Sequence, residues 1–485
     1  MKKLSSKFLR LPIILLGAFF IVKLIHLAKI ITYLPTRDFA SHLANIFFMA
    51  NYGYHSLVPY WFNGYIICLF YPPAYPFIGS ILYSLFGHLQ LAVFISIILI
   101  YIIGFIGCWF LGKALNWSLE KKSFVFLAFY ASPFAIFFFN ITGRLAEMLG
   151  WSIFLLTIPI IYCYKERKID IKFIIFLAIA MALLILSHPI LIIILSVLLL
   201  GLFLIKGKKE KIFIILSVII SLLFASFWLI PFIMNYGNSS MDKWTGMGQM
   251  IQFPNELLIA IAISLLFFTI FYFYYNGDKK NKKRNLLFYL PIIALAVLYM
   301  TSLIRFVPLF NKPFPRTYCL FFLLVSSILL LETNFKEKWL RRAKFAIVCI
   351  VIMAIAVSFI KFPTMDMAIY EPENQNIFKI FENVEGKYII VSNNLTNGFY
   401  AYGPLLYNLS TPFGEYIQAR SPELYSLQQN FFNAVREENC DKIRESAASL
   451  EAEEIIAQYE FCSILEECKF YKKASYGNTC LYSIK

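Results

Sequence analysis

Asp38 and His42 stand four residues apart in Arg37-Asp38-Phe39-Ala40-Ser41-His42, and Arg144 and Glu147 stand three apart in Arg144-Leu145-Ala146-Glu147. On a helix both spacings put two side chains on one face. A carboxylate beside an imidazole can activate an attacking hydroxyl or hold a metal. An arginine beside a carboxylate can hold a phosphate in its planar fork while the acid supports it. Each pair also has a plain structural reading. Asp38 caps a helix and favours its dipole, and Arg144–Glu147 is a salt bridge worth roughly a few tenths of a kcal/mol.

Further candidates lie nearby in sequence or in matching turns. Trp61, Tyr65 and Tyr71 offer flat faces for stacking on a sugar ring or for anchoring among headgroups, with Asn63 as a hydrogen-bonding partner. His188 occupies the turn Leu186-Ser187-His188-Pro189, and Arg305 and Arg316 bracket the segment RFVPLFNKPFPR. Two arginines close together suit an anionic headgroup, although each alone also reads as snorkelling to an interface.

These residues need a scaffold, and composition defines it. The chain has 485 residues, 60% apolar and 15% charged, with 51 Phe and 30 Tyr. A soluble protein sits near 45–50% apolar and about 25% charged, so a soluble globule is excluded, as is a disordered chain. The net charge of +16 is uneven. From residue 362 onward there are 10 Lys/Arg and 17 Asp/Glu, whereas residues 1–361 hold 34 and 11. The basic residues form short clusters between long apolar runs, which is a membrane-topology pattern and not that of a nucleic-acid binder.

A helix needs about 20 apolar residues to cross a bilayer. Eleven spans are expected, near 11–34, 89–111, 123–140, 146–163, 171–187, 189–205, 212–234, 256–275, 286–304, 317–333 and 345–361. The first holds Lys23 and Lys29 and lacks a cleavage site, so it reads as a span and not as a signal peptide. With the N-terminus in the cytoplasm, the inner segments carry 25 basic residues and the outer ones six, as the positive-inside rule requires. Residues 72–88 carry three prolines and two glycines, and they read as a helix lying in the outer interface. The first outer loop then runs over 35–88. Of the 11 acidic residues before 362, Asp38, Glu147, Asp242 and Glu256 fall on the outer side. A carboxylate there is costly unless paired or used. Five glycosylation sequons begin at Asn116, Asn140, Asn238, Asn394 and Asn408, the last four outside.

Residues 362–485 change character and read as a small outer α/β domain. Strands are expected over 387–394 and 479–485, and an amphipathic helix over 441–458 running into EEIIAQ. Cys440, Cys462, Cys468 and Cys480 all lie here and could form two disulfides in any of three pairings, or stay as thiols. The other five cysteines sit in apolar segments as packing residues. No Walker loop, dinucleotide fingerprint or HExxH motif occurs, and the inner loops are too short for a nucleotide-binding domain.

Three of these features together resemble the GT-C superfamily of membrane glycosyltransferases. They are Asp38 after the first span with His42 behind it, the stretch Trp61…Gly64…Tyr71-Pro72-Pro73-Ala74-Tyr75 before a helix ending in Leu85-Phe86-Gly87, and Glu147 in the turn between the third and fourth spans. The detailed match covers roughly 11–165. The paired acids of that superfamily's first loop are not present, since the chain reads Arg37-Asp38-Phe39.

The resemblance implies a GT-C-like polytopic α-helical domain over 1–361 and an extracytoplasmic α/β domain over 362–485, in the plasma membrane with the N-terminus cytoplasmic. It implies transfer of a sugar from a polyprenyl-phosphate-linked donor to a glycan, lipid or protein acceptor. Asp38 and Glu147 become the catalytic residues, and His42, Trp61, Tyr71, Arg144, His188, Arg305 and Arg316 bind substrate. A divalent metal, Mg or Mn, would sit on Asp38 and Glu147 if one is used. Two rival classes remain open at this point: a multi-span transporter, disfavoured by the scarcity of mid-span charges, and a non-catalytic envelope scaffold.

Overall fold

A computed structural model describes residues 2–32, 37–239, 254–277, 281–361, 372–393 and 398–484. Among them, eight helices are long and apolar enough to cross a membrane: Ser6–Ile31, Leu89–Ala114, Leu145–Glu166, Lys208–Asn238, Asn255–Gly277, Lys282–Met300, Pro315–Glu332 and Glu337–Ile360. The pair Leu119–Tyr130 and Pro133–Ile141, bent by 45°, is long and apolar enough only when the two helices are taken together. Ile171–Ser187 and Ile190–Ile205 are shorter apolar helices. Each of the eleven expected spans falls on one of these. The chain is an integral membrane protein.

The bend has a local cause. Pro133 cannot donate a backbone hydrogen bond. The Ser132 hydroxyl caps the next turn by accepting from the Ala135 N–H at 3.2 Å, and residues Ile136–Ile141 then widen into a π-helical turn. A π-helical turn interrupts the regular helical spacing and is frequent at functional sites. Here it leads directly into Gly143-Arg144.

Two shorter helices, Asp38–Tyr52 and Ala74–Phe86, fill the long first loop. Polar contacts gather at the two ends of the bundle. At one end Glu332 accepts from Lys3 and Trp117, and Arg284 pairs with Glu166. The other end carries Asp38, Glu147 and Arg316, and there Tyr400, Glu415 and Tyr416 of the tail meet the first loop.

That tail contains a four-stranded sheet in the order Tyr388–Val391, Glu454–Gln458, Thr479–Ser483, Tyr471–Tyr476. The first pair is parallel, with Ile389 opposite Ile455, and the others are antiparallel. The helix expected over 441–458 is shorter than that. It spans Cys440–Ser449, and Glu454–Gln458 is a fully buried strand. The β-branched pair Ile455-Ile456 packs from both faces as an inner strand does. Cys440 is bonded to Cys468, and Cys462 to Cys480.

Candidate functional site

Asp38 lies in the first turn of its helix and not at the cap, which is Arg37. Its backbone N–H donates to the Thr142 carbonyl at 3.2 Å. The approach is close because Gly143 has φ +75°, and a Cβ there would sit 2.3 Å from the Phe39 ring. Only glycine meets both conditions. The contact brings Arg144 against Asp38 at 3.7 Å while it also reaches Glu147 at 3.4 Å. Phe314 and Phe138 face the guanidinium at 3.7 and 4.7 Å.

Glu147 is 2% exposed and accepts from the Thr317 hydroxyl at 3.0 Å. The residue before Thr317, Arg316, makes two hydrogen bonds to Glu256 Oε1, at 2.6 and 3.0 Å, over the Phe137 ring. A relay therefore runs Asp38–Arg144–Glu147–Thr317, with Arg316–Glu256 beside it.

Asp38 differs from Glu147 in access. Its side chain is 54% open to water, yet protein stands close around it, so desolvation raises its pKa while the Arg144 charge pulls it back. A carboxylate open to water in this way can take up and release a proton.

His42 is 1% exposed. Its Nδ1 shares a hydrogen bond with the Tyr416 hydroxyl at 3.2 Å, and the Tyr75 and Tyr71 rings lie 4.9 and 6.0 Å from its own. Burial, then the nearby His188, lowers its pKa to about 3, so it is neutral at physiological pH. Its Nε2 has no hydrogen-bond partner among the described residues. His188 comes directly after the helix Ile171–Ser187 and lies near enough to Glu147 and Arg144 to feel both charges. Tyr71 packs on Tyr416, with ring centroids 4.3 Å apart, and senses Asp38, Arg144 and Glu147.

Two sequence-derived candidates lie elsewhere. Trp61 is fully buried, donates to the Tyr400 carbonyl at 2.7 Å and packs edge-on against Phe48. It is used in holding the tail to the first loop, so it is no open stacking platform. Arg305 is exposed and stacks on its neighbour Phe306 at 4.5 Å. It joins none of the contacts above. Asn63 donates to the Leu450 carbonyl and is likewise a tail-docking residue. Asp242 and the sequon at Asn394 fall outside the described residues.

Two residues of the site come from the tail and escaped sequence reasoning. Glu415 accepts from the Ser41 hydroxyl at 3.3 Å, and Tyr416 meets His42. Burial and then the charge of Asp38 push the Glu415 carboxyl well above the usual carboxylate range. Thr411-Pro412-Phe413-Gly414-Glu415-Tyr416 sets a carboxylate among apolar and aromatic residues, and that local contrast was the one signal that could have found it.

The donor set fits a divalent cation poorly. Among the described residues, no three His, Cys, Asp or Glu side chains come together as a ligand group, and Asp38 and Glu147 both face the Arg144 guanidinium. On the other side of Arg316 lies an apolar cavity of about 650 Å³, walled by Leu16, Phe124, Phe137, Ile263 and Leu323, with Arg316 in its lining.

The family model described as 6-pyruvoyl-tetrahydropterin synthase related domain, membrane protein, matches residues 68–365. No curated protein matches the chain in sequence. Among solved structures, ArnT from Cupriavidus metallidurans bound to undecaprenyl phosphate is similar with a TM-score of 0.60 at 13% identity, over 97% of this chain and 98% of that one. Arabinofuranosyltransferase AftD from Mycobacteria is similar with a TM-score of 0.58 at 14% identity, over all of this chain and 42% of that one. The chain thus spans less than half the length of AftD. Both likenesses, at this identity, are of fold alone.

Proposed function

Because the chain belongs to the membrane-protein family described as 6-pyruvoyl-tetrahydropterin synthase related and has the GT-C fold, we propose that it transfers a sugar from a polyprenyl-phosphate-linked donor to an acceptor hydroxyl. The observation that carries this reading is the meeting of two unlike environments at one end of the bundle. An apolar cavity suited to a prenyl chain has Arg316 in its lining, and the next residue, Thr317, bonds Glu147, which shares Arg144 with the exposed carboxylate Asp38. The undecaprenyl phosphate in the similar ArnT structure supports a lipid phosphate as the ligand of that cavity.

In this mechanism the acceptor oxygen attacks the anomeric carbon, and Asp38 takes its proton. The bond between that carbon and the phosphate oxygen breaks, and the phosphate leaves with the electron pair. Arg316 steadies its charge, its guanidinium already oriented by Glu256 and Phe137. Arg144 keeps Asp38 ionisable and Glu147 keeps Arg144 in place. No step runs through a metal.

The tail, as an extracytoplasmic domain over 362–485, covers the site. Its two disulfides support an oxidising compartment, and with the positive-inside pattern they support an outward-facing site. Transfer from polyprenyl-phosphate sugars in proteoliposomes tests the reading. Wild-type protein is expected to turn over at least one donor, and Asp38→Asn at least roughly 10²-fold more slowly. Equal transfer by both would end the assignment.

A further inference from the structure

The loop 411–416 is seated too firmly to be a loose cover. The Thr411 N–H donates to the Tyr60 carbonyl at 2.9 Å, and the Phe62 N–H donates to the Phe413 carbonyl at 3.3 Å. A Cβ on Gly414 would lie 2.7 Å from the Phe62 ring and 2.9 Å from Trp61, so glycine alone lets the loop lie this close. From behind, Gln428 donates to the Pro412 carbonyl at 2.8 Å and accepts from Arg420 at 2.6 Å. The loop is held on both sides with Glu415 turned toward Ser41.

Two buried atoms there lack partners among the described residues: Glu415 Oε1 and His42 Nε2. Buried polar atoms are nearly always hydrogen-bonded, so two orphans at one tail contact, where Ser41 and His42 meet Glu415 and Tyr416, point to something that binds there. The walls define its chemistry. Burial and then the Asp38 charge favour the uncharged form of Glu415, and the same two factors disfavour an anion there. The neighbouring cation, Arg144, is already shared between Asp38 and Glu147. His42, with one nitrogen bonded to Tyr416, is neutral and offers a donor or an acceptor. Tyr71, Tyr75 and Tyr416 surround it with flat faces. A ligand that is uncharged, both gives and accepts hydrogen bonds and has a C–H face for aromatic rings is a polyol.

We propose that the tail completes the site: Glu415, with His42 and Tyr416, forms a subsite beside Asp38 that binds the hydroxyl groups of a sugar-like acceptor. This rests on the transfer reading above and names its acceptor class.

The test uses the full chain in lipid nanodiscs and needs no turnover. Saturation-transfer NMR is recorded with a panel of probes, methyl β-glucopyranoside, methyl α-mannopyranoside and methyl α-arabinofuranoside, and binding of undecaprenyl phosphate is measured in parallel by native mass spectrometry. Wild-type protein is expected to saturate at least one glycoside. Glu415→Gln should weaken that signal roughly fivefold, as loss of one hydrogen bond predicts, with undecaprenyl phosphate binding unchanged. Ser41→Ala, which releases Glu415 without touching the tail, should weaken it in the same direction and decides the matter if Glu415→Gln melts early. The proposal is overturned if no glycoside is saturated by wild-type protein, or if both variants match it. Failure of wild-type protein to bind undecaprenyl phosphate would instead strike the transfer reading, and the glycoside result would then stand alone.

Discussion

Arg144 and Arg316 look alike and are placed differently. Each lies over phenylalanine rings and pairs with a carboxylate. Arg144 is shared by two carboxylates, Asp38 and Glu147, so its charge is already met, and the group opens to water through Asp38. Arg316 pairs with Glu256 and lines an apolar cavity. A phosphate must compete with two carboxylates in the first arrangement and with one in the second. The contrast separates an acidic, aromatic pocket from a neutral, greasy one, and the proposed chemistry needs that separation. The acceptor must lose a proton on one side while the lipid phosphate gains charge on the other.

The sharpest way to break the contrast is at Asp38. Asp38→Asn keeps the shape of the side chain and removes the base. Transfer should fall by roughly 10²–10⁴-fold, with binding of undecaprenyl phosphate unaltered. Equal losses of transfer and lipid binding would mean that the two pockets are one.

The Arg316 side is tested by a double variant. Arg316→Ala leaves Glu256 buried without its partner and should cost roughly 1–3 kcal/mol of stability. Adding Glu256→Gln should restore the melting temperature but not lipid affinity, which should stay roughly tenfold weak for want of the charged donor. Recovery of lipid binding in the double variant would make the pair structural only.

The acidic pocket should also show in pH-dependent stability. His42 has its folded pKa lowered from 6.5 to about 3. The folded state therefore binds fewer protons than the unfolded one in that window. Stability is complete above 6.5 and falls as the pH drops toward 3, by about 1.4 kcal/mol per unit. Glu415 has the opposite sign: its raised pKa contributes stability at low pH that is lost as the pH climbs through the raised value. Thermal melts across pH should lose their acid-side slope in His42→Gln and their upper-side slope in Glu415→Gln. If neither substitution changes the curve, these groups are not enclosed as described.

Legibility in the sequence tracks contact range. The eleven apolar segments were readable because a span is a local property of about 20 residues. Arg144 and Glu147 meet because i,i+3 spacing on a helix makes them meet. Ser41 and Glu415 are 374 residues apart and Arg316 and Glu256 are 60 apart, so no periodicity relates them. At Trp61 an exposed platform and a docking residue look the same until the tail is in place. The segment EEIIAQ carries no local strand signal, because its burial from both sides depends on two strands distant in sequence.

The smallest expected effect is at Arg305, and it bears on where the greasy pocket ends. Arg305 brackets the same segment as Arg316 and carries the same charge, yet it is exposed and stacked on Phe306. A solvated arginine is screened and holds a phosphate weakly. Arg305→Ala should therefore change undecaprenyl phosphate affinity and transfer by less than roughly twofold. A loss as large as that of Arg316→Ala would mean that the segment between the two arginines folds over the bound lipid phosphate. The contrast between the two pockets would then belong to the unliganded state alone.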